Sequence, residues 1–150
     1  MVVDTVAYTI HTGFAAIWAG SVLFVTAAVL PLAIDADVTP AAFGSVVTRL
    51  QWVTRISAVL LFATGGHLAG TRYTAGTLTG TPRGHLVLAM LTLWLLLAAV
   101  VEIGSARAQR GIDEEKIREP AREARPFYLA GAVFAVGLLV VAGMLGTPPF

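Results

Sequence analysis

Residues 5–34 form a stretch of thirty residues without a single charged side chain. About 20 apolar residues carry a helix across the hydrocarbon of a bilayer, so this stretch has length to spare. Three further apolar runs follow it, and charged residues make up only 13% of the chain. A typical soluble domain carries about 25%. The sequence therefore predicts an integral membrane protein.

The four predicted spans cover residues of about 5–34, 46–71, 84–106 and 127–146, in a single transmembrane domain. The second apolar run is short by itself and is extended past Arg55 and Arg49, whose side chains can reach the interface. Barrel strands would alternate in polarity, whereas these runs are uniformly apolar, and helices satisfy their backbone groups internally. The predicted fold is all-α, an integral membrane four-helix bundle.

The basic residues predict the orientation of the bundle. The third loop, the first loop and the start of the second span together hold eight Lys and Arg residues, whereas the opposite side holds only Arg72 and Arg83. Because basic residues favour the cytoplasmic side, both termini and the connection 71–84 are predicted to lie outside a plasma membrane. Charge blocks in the third loop predict helical extensions with pairs such as Glu114–Arg118.

Composition excludes several classes of function. The net charge of +1 provides no basic field for nucleic acid. The absence of cysteine removes disulfides and thiolate metal sites. There is no nucleophile motif, phosphate-binding loop or dinucleotide motif. Any metal must therefore be held by His, Met, Asp, Glu or the backbone.

The three histidines are predicted to lie at one level of the membrane, each on a different span. His11 opens the first span, His67 ends the second and His85 opens the third. Met90 follows His85 by less than two turns, and Met144 lies at the outer end of the fourth span. Imidazole with thioether is a ligand set that suits copper, and the soft sulfur favours the cuprous state. These five residues are the predicted metal ligands.

Helical spacing also predicts which faces look inward. Polar residues share the histidine stripes on the second and third spans, as expected if those stripes face the bundle interior and the histidines converge there. The stripes are His11–Ala15–Trp18–Val22–Val25, Ser57–Leu60–Thr64–His67 and His85–Ala89–Thr92–Leu96–Ala99–Glu102.

Two other interpretations remain open. A His-rich site without thiolate can hold haem iron through its axial positions, with Arg72 and Arg83 pairing with the propionates. The chain would then be a haem b redox protein that exchanges electrons with a partner such as quinone. Any enzymatic activity would be that of a haem-dependent membrane oxidoreductase. The third interpretation is a structural or assembly subunit without a cofactor.

The pattern His11-x6-Trp18-x-Gly20 resembles the opening helix of the copper-resistance D (CopD) family of membrane proteins. Nearly the whole chain is similar to that family, through the Arg55-Ile-Ser57 start and Thr64-Gly65 end of the second span, the Gly84-led third span and the Leu145–Pro149 ending. The resemblance implies copper handling at the outer face, with His11 as a ligand and Trp18 and Gly20 as packing residues.

The HemJ-like group of haem-linked oxidases shares the first-span pattern, and that resemblance implies haem b ligated by His11. The expected partners are the lipid bilayer and a metal donor or redox partner at the outer face. Four spans leave little interior space for a transport path within one chain. A homodimer is therefore also expected.

Overall fold

The computed structural model describes residues 2–112 and 114–147, and within them the chain folds into helices joined by short connections. Four long helical segments are each long and apolar enough to cross a membrane, which confirms the predicted all-α membrane bundle. The helices are α1 (Val2–Phe24), α2 (Leu30–Asp35), α3 (Pro40–Arg72), α4 (Ala75–Gly80), α5 (Pro82–Ile112) and α6 (Arg118–Gly146). A π-helical turn, Val25–Val29, joins α1 to α2, so the first long segment runs from residue 2 to residue 35.

Local sequence explains where the segments begin and end. Ala36 adopts a left-handed conformation with φ 64°, which ends α2. Thr39 then caps α3, because its Oγ1 accepts a hydrogen bond from the Ala42 N–H at 3.2 Å, and Pro40 fits the first turn. The connection after α3 contains the short helix α4, where the sequence predicted only a loop.

The charged third loop departs from its prediction in one respect. Helices do extend to Ile112 and restart at Arg118, but Glu115 has a φ of 57° and turns the chain between them. Because of that turn, Glu114 Oε2 pairs with Lys116 Nζ at 2.7 Å. The predicted Glu114–Arg118 pair is therefore wrong, since the i,i+4 spacing brings side chains together only along a continuous helix.

The long segments pack side by side in chain order, with α1 against α3, α3 against α5, α5 against α6, and α6 back against α1. The core between them is apolar and includes Trp18, Val22, Leu97, Val101 and Tyr128. We call the end that contains the start of α1, the end of α3 and the start of α5 the histidine end, since all three histidines lie there. The opposite end, with residues 36–39 and the 112–118 connection, is the arginine end.

Helix α5 turns a different face to the interior from the one predicted. The stripe that begins at His85 and passes through Thr92 to Ala99 is exposed. The face buried in the bundle instead consists of Leu97, Val101, Gly104, Ser105, Ala108 and Gly111, whereas Gly84 is buried against α4. The small residues of that face let α6 approach closely: a Cβ atom on Gly104 would lie 2.9 Å from Phe127 Cβ. Close packing of small residues, rather than polarity, orients this helix.

Candidate functional site at the histidine end

Polar side chains meet across the α1–α3 contact at three successive levels. The three pairs are Asp4 Oδ1 with His67 Nε2 at 3.1 Å, His11 Nδ1 with Thr64 Oγ1 at 2.9 Å, and Trp18 Nε1 with Thr54 Oγ1 at 3.0 Å. We call these six residues the polar seam. On α1 the members of the seam are seven residues apart. A step of seven residues makes about two turns and returns to nearly the same face of the helix. The seam therefore runs from the histidine end into the buried centre of the bundle.

Thr64 determines which nitrogen of His11 is free. The hydroxyl of Thr64 has one proton and lies 2.6 Å from the carbonyl oxygen of Leu60, one turn back, to which it donates. It therefore accepts a hydrogen bond from His11 Nδ1–H, and Nε2 of His11 keeps its lone pair. Histidine ligands of metals are commonly held in this way, with one ring nitrogen on a hydrogen bond and the other turned to the metal.

The Asp4–His67 pair lies at the mouth of the seam. The two side chains are 41% and 38% exposed, so they are open to the surroundings, whereas Trp18 and Thr54 are buried. A carboxylate beside an imidazole attracts and can hold a cation at such a mouth.

Contacts between α3 and α5 define the level of Met90. The Arg55 guanidinium donates two hydrogen bonds to the Glu102 carboxylate, at 2.8 and 2.9 Å, and the rings of Phe62 and Trp94 stack with centroids 5.6 Å apart. Continuing this antiparallel register toward the histidine end brings Met90 to the level of His67. A half-buried thioether is thus available level with the mouth of the seam.

Two of the predicted metal ligands lie away from the seam. His85 is exposed on α5, and its Nε2–H donates to the Thr79 carbonyl oxygen at 2.8 Å. Met144 is 52% exposed on α6. Within residues 2–112 and 114–147, no group of three or more His, Cys, Asp or Glu side chains could hold a metal ion. The structure thus brings His11 and His67 onto one seam, and the three histidines do not form a single cluster.

The two arginines at this end also have separate positions. Arg83 Nη2 donates to the carbonyl oxygens of Leu145 and Thr147 at 2.8 and 2.6 Å. It thereby satisfies carbonyl groups that the end of α6 leaves without helical partners. Arg72 is the last residue of α3 and is exposed. The predicted role of Arg83 beside a haem propionate gains no support from these contacts.

Sequence reasoning missed two members of the seam. Asp4 lies just before the uncharged stretch 5–34 and so falls outside the predicted first span. Thr54 is next to Arg55 in the charged part of α3, where nothing marks it as buried. The signal that would have found Asp4 is its seven-residue spacing from His11 and of His11 from Trp18. Thr54 has no comparable signal, because its role depends on how α3 is rotated against α1.

The seam carries two imidazoles and one carboxylate, and the Met90 thioether lies on α5 at the level of its mouth. Imidazole and thioether are donor types that copper binds.

Four apolar helices packed as one bundle define a multi-pass membrane protein. The family described as copper resistance protein D (CopD) matches residues 44–145, about two thirds of the chain, and the protein belongs to that family. It is thus a copper-resistance membrane protein. The match begins in α3, so α1 with His11 precedes it. No curated protein and no solved structure matches the chain. The HemJ-like resemblance finds no support in these comparisons.

Proposed function

We propose that this CopD-family protein binds cuprous copper as cargo at the histidine end and moves it into or across the membrane. The ligands are His11 Nε2 and His67, with the Met90 thioether as a third donor. The observation that carries the proposal is the hydrogen bond from His11 Nδ1 to Thr64, which leaves Nε2 free to bind a metal. Thr64 and His67 are three residues apart on α3, or about 4.5 Å along the axis, so the two imidazoles lie at neighbouring levels.

The charge at the mouth supports entry of a cation. The Asp4 carboxylate, 41% exposed beside His67, contributes a negative charge at the mouth of the seam. A fixed carboxylate at an opening raises the local concentration of cations and speeds their association. An imidazole must be deprotonated to bind a metal, so copper affinity falls as the pH falls through the titration of the ligands.

The face of α3 that continues from the histidines toward the centre of the bundle supports a path along which copper moves inward. Ser57 lies between Thr64 and Thr54 on that face, and its buried Oγ has no hydrogen-bond partner among the described residues. A buried hydroxyl without a partner calls for a specific explanation, such as a water molecule or ion that it contacts. Next to Thr54, near the middle of α3, Arg55 binds the Glu102 carboxylate, which also accepts a hydrogen bond from Gln51. Hydroxyl oxygens thus follow this face of α3 from Thr64 to Thr54.

The basic residues indicate on which side of the membrane the histidine end lies. Seven of the ten Lys and Arg residues lie toward the arginine end, which favours its placement in the cytoplasm. The histidine end then faces outward, where a copper donor delivers its metal. We propose that this membrane is the plasma membrane.

A competition titration with a chromophoric Cu⁺ chelator tests the proposal on the detergent-purified protein. We expect His11→Ala and His67→Ala to weaken Cu⁺ binding by at least about tenfold. His85→Ala is the matched control, because His85 is an exposed histidine at the same end that bonds the Thr79 carbonyl. Unchanged binding in His11→Ala would overturn the proposal, and an equal loss in His85→Ala would contradict the two-histidine site.

A visible absorption spectrum of the same sample distinguishes the copper proposal from the haem alternative. We expect no Soret band in the oxidised or dithionite-reduced protein. A Soret band that shifts on reduction would replace copper by haem as the group that His11 binds.

A further inference from the structure

A groove of about 350 Å³ lies between α2 and α6 at the arginine end, far from the polar seam. Its walls are apolar, with one acidic and one basic residue, and they include Leu30, Pro31, Ile34, Leu129, Asp35 and Arg125. Thr26 in the π-helical turn contacts both sides, because its single Oγ1–H is shared between the carbonyl oxygens of Val22 and Tyr128, at 2.7 and 3.1 Å.

The two charged residues mark the level of the lipid headgroups. Asp35 follows directly after the uncharged stretch 5–34, and Arg125 lies two residues before the apolar run 127–146. Both side chains therefore lie where their helices leave the hydrocarbon. The apolar wall of the groove continues from these charges toward the membrane interior, as a bound acyl chain requires.

Both charged groups are available to a ligand. In the described part of the chain, neither Asp35 nor Arg125 forms an ion pair with another side chain. Arg118 contacts Asp35 only through the main chain, where its Nη2 donates to the carbonyl oxygen at 3.2 Å. The Asp35 carboxylate and the Arg125 guanidinium are both exposed.

We propose that this groove is a binding site for phosphatidylethanolamine from the surrounding leaflet. The Arg125 guanidinium binds the lipid phosphate, for which its planar set of donors is well suited. The Asp35 carboxylate accepts hydrogen bonds from the lipid ammonium group, and an acyl chain lies along Leu30, Pro31 and Leu129. One positive and one negative group in the groove match the zwitterionic headgroup.

The charge pattern argues against the two common alternative headgroups. Phosphatidylglycerol has the phosphate but no ammonium, so Asp35 would repel it rather than bind it. Phosphatidylcholine has a cation, but its trimethylammonium group has no N–H to donate to Asp35. Phosphatidylethanolamine satisfies both residues, since its phosphate pairs with Arg125 and its ammonium group with Asp35.

Native mass spectrometry of the full chain, with equal amounts of the three lipids in the detergent, tests the proposal. We expect phosphatidylethanolamine to be retained about tenfold more than either other lipid, as for one additional charge-assisted hydrogen bond. Arg125→Gln and Asp35→Asn should each abolish this preference. The matched controls are Arg122→Gln and Asp37→Asn, exposed residues of the same types that do not line the groove.

The variants also distinguish loss of the site from loss of the fold. Asp35→Asn keeps the backbone carbonyl that Arg118 contacts, and it should bind phosphatidylglycerol more strongly than the native protein does. Three results would overturn the proposal: equal retention of all three lipids, a native preference for phosphatidylglycerol, or an Asp35→Asn variant with unchanged selectivity.

Discussion

The imidazole of His11 lies directly against the backbone of Gly65: a Cβ atom added to Gly65 would be 2.9 Å from His11 Cε1. The preceding residue, Thr64, holds Nδ1 of the same ring at 2.9 Å. Two consecutive residues of α3 therefore position the ring, one by a hydrogen bond and the other by having no side chain. The next residue, Gly66, has open space where its Cβ would lie.

Gly65→Ala should therefore weaken copper binding without replacing a ligand residue. The new methyl group displaces the His11 ring and lengthens its bond to Thr64, which orients Nε2. We expect Cu⁺ affinity to fall about tenfold, the loss typical of residues that orient a metal ligand. The chelator competition titration measures this loss.

Gly66→Ala is the matched control, because it makes the same change one residue away in open space. Each substitution gains about 1 kcal/mol of helix propensity. A difference between the two variants therefore reports on His11 and not on the helix. Equal copper affinity in both would show that the position of His11 does not matter for binding.

The turn between α5 and α6 provides a prediction for pH titration. The hydrogen bond from the Lys116 ammonium, together with its positive charge, lowers the pKa of the Glu114 carboxyl, and Glu114 in turn raises the pKa of Lys116. Lys116→Gln should therefore raise the pKa of Glu114 toward its ordinary value. Arg118→Gln should leave it unchanged, since Glu114 pairs with Lys116. Carbon-13 NMR of labelled glutamate carboxyls follows both titrations.

The sign of the linkage follows from these directions. A carboxyl whose pKa is lowered by folding stabilises the folded state above its unfolded pKa, and this stabilisation is lost as the pH falls through the folded value. The two side chains are 63% and 55% exposed, so solvent screens the pair and the stability effect is small. The Glu114 titration is therefore the informative readout. A larger rise in Arg118→Gln than in Lys116→Gln would contradict the structure of this turn.

The membrane fold could be predicted because its main determinants are length and polarity along the chain. A helix across hydrocarbon needs a long uncharged run, and the stretch 5–34 and the runs ending at Thr71, Val101 and Gly146 can be recognised one segment at a time. The rotation of each helix about its axis is different, because it depends on the neighbouring helix. Gly104 and Gly111 orient α5 through their fit against Phe127 and Pro120 on α6, which no single segment indicates.

The positions of the histidines were predictable to the same extent. His11 and His67 could be assigned to one end of the bundle from topology alone, and both lie on the polar seam. His85 has the right level but the wrong rotation, since it is on the exposed face of α5. The Trp18 stripe on α1 was correct, because a large side chain next to Val22 is a strong sign of a buried face.

The innermost pair of the seam, Trp18 and Thr54, leads to a prediction about stability. Both side chains are 1% exposed, and the indole N–H donates to Thr54 Oγ1 at 3.0 Å. Thr54→Val keeps the shape of the side chain but leaves the indole N–H unpaired in an apolar core. Hydrogen bonds between membrane helices are worth about 0.6 kcal/mol on average, and a buried donor left without a partner adds to that loss.

We therefore expect Thr54→Val to lower the free energy of unfolding by about 1–2 kcal/mol, and the Tm in detergent by about 3 °C or more. Thr92→Val is the matched control, because Thr92 is exposed on α5 and its hydroxyl bonds only the Leu88 carbonyl of its own helix. That variant should unfold within about 0.5 kcal/mol of the native protein. If both variants unfold alike, the Trp18–Thr54 bond does not hold α1 against α3, and the seam is then stabilised by its apolar neighbours alone.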